Sequence, residues 1–261
     1  MRSILLLALP AVLAPAAADA QSTEESPRRT RVALGPQLTP SYPGADTVSL
    51  RPLVDVARSR GDAPFAFEAA DESFGPGLFR KGPVGIGLAI GFEGKRSRGD
   101  TDGRLSPVGF TVEAGGFINY QVAAPFRLRI EARQGIGGHK GLIASVGADY
   151  VARDGDRWLF SLGPRVTLAS ARYNRAYFGV RAADVVTARL PAYRPDGGLQ
   201  AVGATAGLVR QFTPRWGVYA YTRYDRFVAD PGRSPVLREI GSRNQLAGGV
   251  ALTHTFGRGV H

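Results

Sequence analysis

The stretch FRLRIEARQG, residues 126–135, alternates Phe126, Leu128, Ile130 and Ala132 with Arg127, Arg129, Glu131 and Arg133. A period of two gives a strand one apolar and one polar face. In a soluble sheet the apolar face packs on a core and the arginines meet water. In an outer-membrane barrel the apolar face meets lipid and the arginines line the interior.

The same alternation recurs along the chain in segments of about ten residues, the signal expected of a transmembrane barrel. Segment 111–122 sets Val112, Ala114, Ile118 and Tyr120 against Glu113, Asn119 and Gln121, then turns at Ala124-Pro125 into 126–135. Ala144, Val146, Ala148 and Tyr150 are followed by the turn Asp154-Gly155-Asp156 and a strand carrying Trp158, Phe160 and Leu162. Segments 200–212 and 216–227 flank Thr213-Pro214, and a last strand spans 244–256. Longer polar connections, 94–106, 171–198 and 229–243, separate these pairs. Short turns at one end and long loops at the other fit periplasmic turns and extracellular loops. Tyr120, Phe126, Tyr150, Trp158, Phe212 and Trp216 flank the short turns, as rings of an interfacial girdle would.

These patterns predict an all-β, transmembrane, antiparallel up-and-down β-barrel. Eight strands follow Val84, and 31–40 and 48–59 supply two more. The stretch 65–80 holds one long strand or two short ones broken near Asp71-Glu72. Even parity selects two, giving about 12 strands, with 10 as the alternative.

Met1-Arg2, an apolar run from Ile4 to Leu13 and Ala18-Asp19-Ala20 make up a secretory signal peptide, residues 1–20, cleaved after Ala20. Residues 21–30 read as a short periplasmic leader, 31–256 as the barrel and 257–261 as a C-terminal tail. After the signal peptide no apolar run reaches the roughly 18 residues of a spanning helix. The 261 residues include no cysteine, which excludes disulfides and thiolate chemistry. The formal net charge is +11, carried by arginine apart from Lys81, Lys95 and Lys140. For an exported chain the matching anions are lipopolysaccharide phosphates and peptidoglycan carboxylates rather than nucleic acid.

The barrel reading turns Arg127, Arg129, Glu131 and Arg133 inward, with Arg51, Asp55, Asp149, Arg165, Arg223 and Asp225 as further lumen or ligand candidates. Such charges either pair into an internal network or select a solute. His139, His254 and His261 lie far apart and form no metal spacing, and no cofactor motif is present. His139, in GIGGHKG, reads as a surface residue of a short extracellular loop. With Ser145 it could start a rim lipid hydrolase, but no carboxylate or amide lies within a few residues to orient it. Arg98-Gly99-Asp100 spells an adhesion tripeptide that a chain rich in arginine and glycine produces by chance.

SYPGADT in the first loop, AYFGVRAADVVTARLPAY over 176–193, RYDRFVADPGRSPVL over 223–237 and the last strand ending at Phe256 resemble the MipA/OmpV family of outer-membrane proteins. The family-motif loop residues are Tyr42, Gly44, Tyr177, Phe178, Gly179, Ser234 and Pro235. Ala45 stands where that pattern usually has a small polar residue, and Gly-Arg-Gly-Val-His continues past Phe256. The basic run Lys95-Arg96-Ser97-Arg98 looks particular to this chain. The resemblance implies an outer-membrane barrel in contact with lipid and lipopolysaccharide. It also implies a non-enzymatic scaffold joining a lytic transglycosylase to a bifunctional penicillin-binding protein. The alternative that the residues themselves suggest is an anion-preferring channel or binding barrel with an arginine-rich lumen.

Overall fold

The structure is a computed structural model that describes residues 27–257. The signal peptide, most of the leader and residues 258–261 lie outside the described residues. Eleven strands form one antiparallel sheet: β1 (Arg28–Pro40), β2 (Val48–Arg60), β3 (Gly77–Lys81), β4 (Val84–Glu93), β5 (Thr111–Ala123), β6 (Phe126–Gly137), β7 (Leu142–Asp154), β8 (Trp158–Ala169), β9 (Gly198–Gln211), β10 (Trp216–Phe227) and β11 (Asn244–Gly257). The order is β2-β1-β11-β10-β9-β8-β7-β6-β5-β4-β3, so consecutive strands other than β2 and β3 neighbour one another, and β1 pairs with β11. β1 begins at Arg28, inside what the sequence suggested was leader.

The alternation is resolved by exposure. Leu128 and Ile130 are 42% and 55% exposed, whereas Arg127, Arg129 and Glu131 are 6%, 7% and 2%. Apolar side chains outside and charges inside is the reverse of a soluble sheet, and it suits a wall that faces lipid. Of the turn-flanking aromatics, Phe126 and Tyr150 lie on the outer face with ring centroids 5.4 Å apart. The sheet curls strongly: Arg29 on β1 reaches Asp156, beyond β7, at 3.1 Å.

The strand count differs from the expected 12 or 10, and residues 61–76 are the reason. They contribute no strand of their own before β3, apart from one bridge between Phe74 and Ile90. The segment enters the concave side from the end of β2, ascends inside and returns down the wall as the five-residue β3. It thus replaces one ascending strand. Its sequence, AFEAADESFGPG over 66–77, is poor in β-branched residues, and its carboxylates find arginines inside the wall. The edge strands β2 and β3 are not paired with each other, leaving a seam beside this plug.

The long-loop end carries a folded cap. It contains α1 (Ala171–Phe178), α2 (Val185–Ala188), α3 (Ala229–Arg233) and α4 (Pro235–Glu239). The loops read as polar connections bury two apolar clusters. One joins Val108, Tyr173, Tyr177, Phe178, Phe227 and Leu237, the other Leu105, Val180, Leu190 and Val236.

The chain has no native cysteine, so a single cysteine at Ala69, which is 8% exposed, reports on the plug. It is expected to resist a hydrophilic maleimide in the native barrel and to react after heat unfolding. Equal labelling in both states would place the segment outside the wall.

Candidate functional site

Three levels can be distinguished inside the wall, from the short-turn end towards the cap. The first is an ion network in which four arginines meet five carboxylates. Arg165 donates through Nε and Nη2 to Asp71 at 2.7 and 3.1 Å, and through Nη2 to Asp149 at 2.7 Å. Arg127 bridges Glu72 and Asp149, the latter at 2.8 Å, and donates to the Phe67 carbonyl at 3.1 Å. Arg129 holds Glu131 at 2.5 Å and Glu72 at 3.3 Å, with its guanidinium 3.7 Å from the Phe117 ring centroid. Arg133 pairs with Glu113 at 2.7 Å and with Glu131. Glu131 also accepts from Ser73 at 2.6 Å.

Asp71, Glu72 and Ser73 belong to the plug, so the plug supplies acids that neutralise the wall. Cross-strand register explains how the guanidinium groups fit. Arg129, Gly147, Arg165, Gly203 and Asp225 are successive partners across β6 to β10, so a glycine separates each bulky pair. At Gly147 the side chain is missing where it has to be, since a Cβ would lie 2.9 Å from Nη1 of Arg165.

The second level is a chamber of about 380 Å³ between plug and cap. Arg51, Glu93, Arg223 and Asp225 line it beneath Tyr42 and Tyr173. Arg223 donates through Nε to Asp225 at 2.5 Å, and Arg51 donates to the Ser41 carbonyl at 2.9 Å. Asp55 lies apart from this group, lining a separate cavity beside Arg31.

The third level is the cap, where the motif residues converge from three loops. Tyr177 and Phe178 on α1 are fully buried. Ser234 caps α4 by accepting from the Val236 amide at 3.1 Å, and it donates to the Phe178 carbonyl at 2.6 Å. Pro235 opens α4, where a missing N–H costs nothing. Gly44, at φ +91°, leaves no room for a side chain, since a Cβ would lie 2.6 Å from Leu237 Cδ2. Its amide donates to Gln245 at 3.0 Å, and Gln245 in turn donates to the Ala45 carbonyl at 3.0 Å. The backbone makes that contact, so a buried alanine serves at position 45. Gly179 ends α1, its amide bonded to the Arg175 carbonyl at 3.2 Å.

Arg96, from the basic run, is 3% exposed and ties the loops together. It donates to the carbonyls of Tyr177, Ala176 and Ser106 at 2.9 to 3.0 Å. Burial lowers its affinity for its proton, and burial likewise pushes the Tyr177 phenol up, keeping that ring neutral. Asp100 of the adhesion-like tripeptide accepts from the Ser97 amide and hydroxyl at 2.6 and 2.8 Å, stabilising its own turn.

His139 is not on the surface. It is 2% exposed, its ring packs 4.6 Å from Tyr173, Nδ1 accepts from the Gly141 amide at 3.0 Å and Nε2 lies 3.0 Å from Glu113. With Nδ1 accepting, Nε2 carries the proton and donates to Glu113. Both nitrogens are engaged, so His139 fastens a loop to β5 and has neither left for a serine. Its orienting carboxylate lies 26 residues upstream. Proximity in sequence could not reveal it. Asp71, Glu72 and Glu93 were also missed. The Asp71-Glu72 doublet was visible, but as a break between strands. Among the described residues no group of His, Asp and Glu is arranged to hold a metal ion.

Residues 32–256 match the family model described as MltA-interacting protein MipA. The chain belongs to this family. No curated protein matches it. Solved structures similar to this chain include three at 10% identity. The COG4313 outer membrane channel from Pseudomonas putida F1 has a TM-score of 0.44, with 94% of this chain and 100% of that one covered. The CymD monoaromatic hydrocarbon channel has 0.37, with 88% of each chain covered. Neisserial surface protein A has 0.26, with 87% and 95% covered.

Replacing Arg165 by Gln strands Asp71 and Asp149 without their shared partner. A loss of about 3–5 kcal/mol is expected for breaking one side of a buried ion network. It should appear as a lower temperature for the heat-dependent electrophoretic shift. In the cap, Phe178→Ala should cost about 3–5 kcal/mol locally and expose the 170–197 loop to protease while the wall stays folded.

Proposed function

We propose that this protein is a non-enzymatic outer-membrane barrel that serves as an interaction platform for cell-wall-remodelling enzymes at its short-turn, periplasmic end. The distribution of free charge carries this reading. In the ion network the arginines are engaged with carboxylates, and residues 61–76 occupy the bore beside them. At the short-turn rim Arg58, Arg80, Lys81, Arg210 and Arg215 are exposed and make no ion pair among the described residues. A collar of solvated cations attracts an acidic protein surface and steers its approach. The family description names an interaction with MltA, and a lytic transglycosylase is the partner this reading extends to the present chain.

Affinity capture from detergent-solubilised envelope, with the folded barrel as bait, tests it. Recovery of a lytic transglycosylase or a penicillin-binding protein is expected, with yield falling severalfold when Arg80, Lys81 and Arg215 are replaced by Glu. A wild-type bait that recovers no cell-wall enzyme would overturn the proposal.

A second reading is a gated anion channel, favoured by how the plug is held. Between residues 64 and 73 its one backbone–backbone bond, from the Glu72 amide to the Ala69 carbonyl, is internal to the segment. Side chains do the rest, so the plug could withdraw without tearing the sheet. In planar bilayers the wild type should be mostly silent. Asp71→Asn with Glu72→Gln should raise opening and give an anion preference, because Arg127, Arg129 and Arg165 lose their neutralising partners. Unchanged silence with a folded double variant would remove this reading.

A further inference from the structure

The ion network and the chamber above it differ in one respect. In the network every guanidinium is bonded to carboxylates on more than one side. In the chamber the charges are left incomplete. Arg51 makes no ion pair among the described residues, its Nη2 bonded to the Ser41 carbonyl. Arg223 uses only Nε, and its two terminal nitrogens make no hydrogen bond among the described residues. The Glu93 carboxylate makes no ion pair there either, although it lines the same space. Asp225 Oδ1 and Thr39 Oγ1, both on the chamber wall, are buried without a partner.

Polar groups left incomplete around a cavity mark a place for something that completes them. The open valences are of both signs: N–H donors on Arg51 and Arg223, and the acceptor oxygens of Glu93. A simple anion would satisfy the arginines and be repelled by the carboxylates, and a simple cation the reverse. A molecule carrying both charges meets both. The roof formed by Tyr42, Tyr173 and Phe227 offers apolar and aromatic contact for the remainder. About 380 Å³ is room for about a dozen waters, or for a small organic solute in their place.

We propose that the chamber between plug and cap binds a small zwitterionic solute, a free amino acid or short peptide. Its carboxylate sits on Arg51 and Arg223, and its ammonium on Glu93. The chamber also has a side wall that can yield. Arg51 projects from the edge strand β2 across the seam towards Gly94 at the end of β4, where a Cβ would lie 3.2 Å from its Nη2. The wall there is a side chain and not a hydrogen-bonded ladder.

The test uses the full barrel refolded in detergent, with free amino acids and a panel of their dipeptides as probes, read by thermal unfolding and equilibrium dialysis. At least one free zwitterion is expected to bind and raise the unfolding temperature. Its N-acetylated and C-amidated forms should each bind about tenfold more weakly, the factor for one lost charged contact. Arg51→Gln and Glu93→Gln lie outside the ion network, so both should still show the heat-dependent mobility shift while losing binding by about tenfold or more. Folded wild-type protein that binds no member of the panel would overturn the proposal, leaving the chamber to water. Equal binding of the acetylated forms would overturn the zwitterion assignment, as would folded variants that bind like wild type.

Discussion

The arrangement depends on the clasp of Arg165 between Asp71 and Asp149. One guanidinium, 5% exposed, holds a carboxylate of the plug and a carboxylate of the neighbouring strand at once. Without the plug's Asp71 and Glu72, the wall arginines Arg127, Arg129 and Arg165 would lose much of their neutralisation in a confined, poorly solvated space. Without the arginines, the plug's acids would have no reason to leave water. Each side makes the other's burial tolerable. Such a pair of surfaces stabilises a unique arrangement through the cost of separating it, more than through net attraction.

That clasp explains why a chain with net charge +11 does not present a positive bore. The surplus sits elsewhere, at the short-turn rim and on the loops. The interior is close to balanced: Arg127, Arg129, Arg133 and Arg165 face Asp71, Glu72, Glu113, Glu131 and Asp149. Polar groups are left unfinished in two other places, the basic collar outside and the chamber under the cap, and both proposed functions rest there. The cap in turn is built on the family's own motif residues. Gly44, Phe178 and Ser234 pack loops on one another, which makes these strings signatures of a folded lid.

The wall was legible because its physics is local. Alternation at 126–135 states which residues share a face, and the short turns at 124–125 and 154–156 fix which strands are neighbours. All eight strands from β4 to β11 follow from such signals. The plug was not legible in the same way. Residues 65–76 have no period, and parity alone selects two strands rather than one for the stretch 65–80. Parity was satisfied by a luminal ascent that makes no ladder. His139 failed for a related reason: its partner Glu113 comes from another strand, and nothing near it in the chain announces that contact.

By itself the sequence determined the strand pattern, the inside-out placement of charge and the family, because side-chain alternation and short motif strings are properties of neighbouring residues. Only the tertiary structure decided that a segment of the chain enters the lumen, that the motif loops form a lid, and which arginines are satisfied. Those outcomes rest on pairs such as Asp71 with Arg165, 94 residues apart, and on Gly44 with Leu237. Electrostatic and packing partners so distant are chosen by the curl of the sheet, which no local pattern encodes.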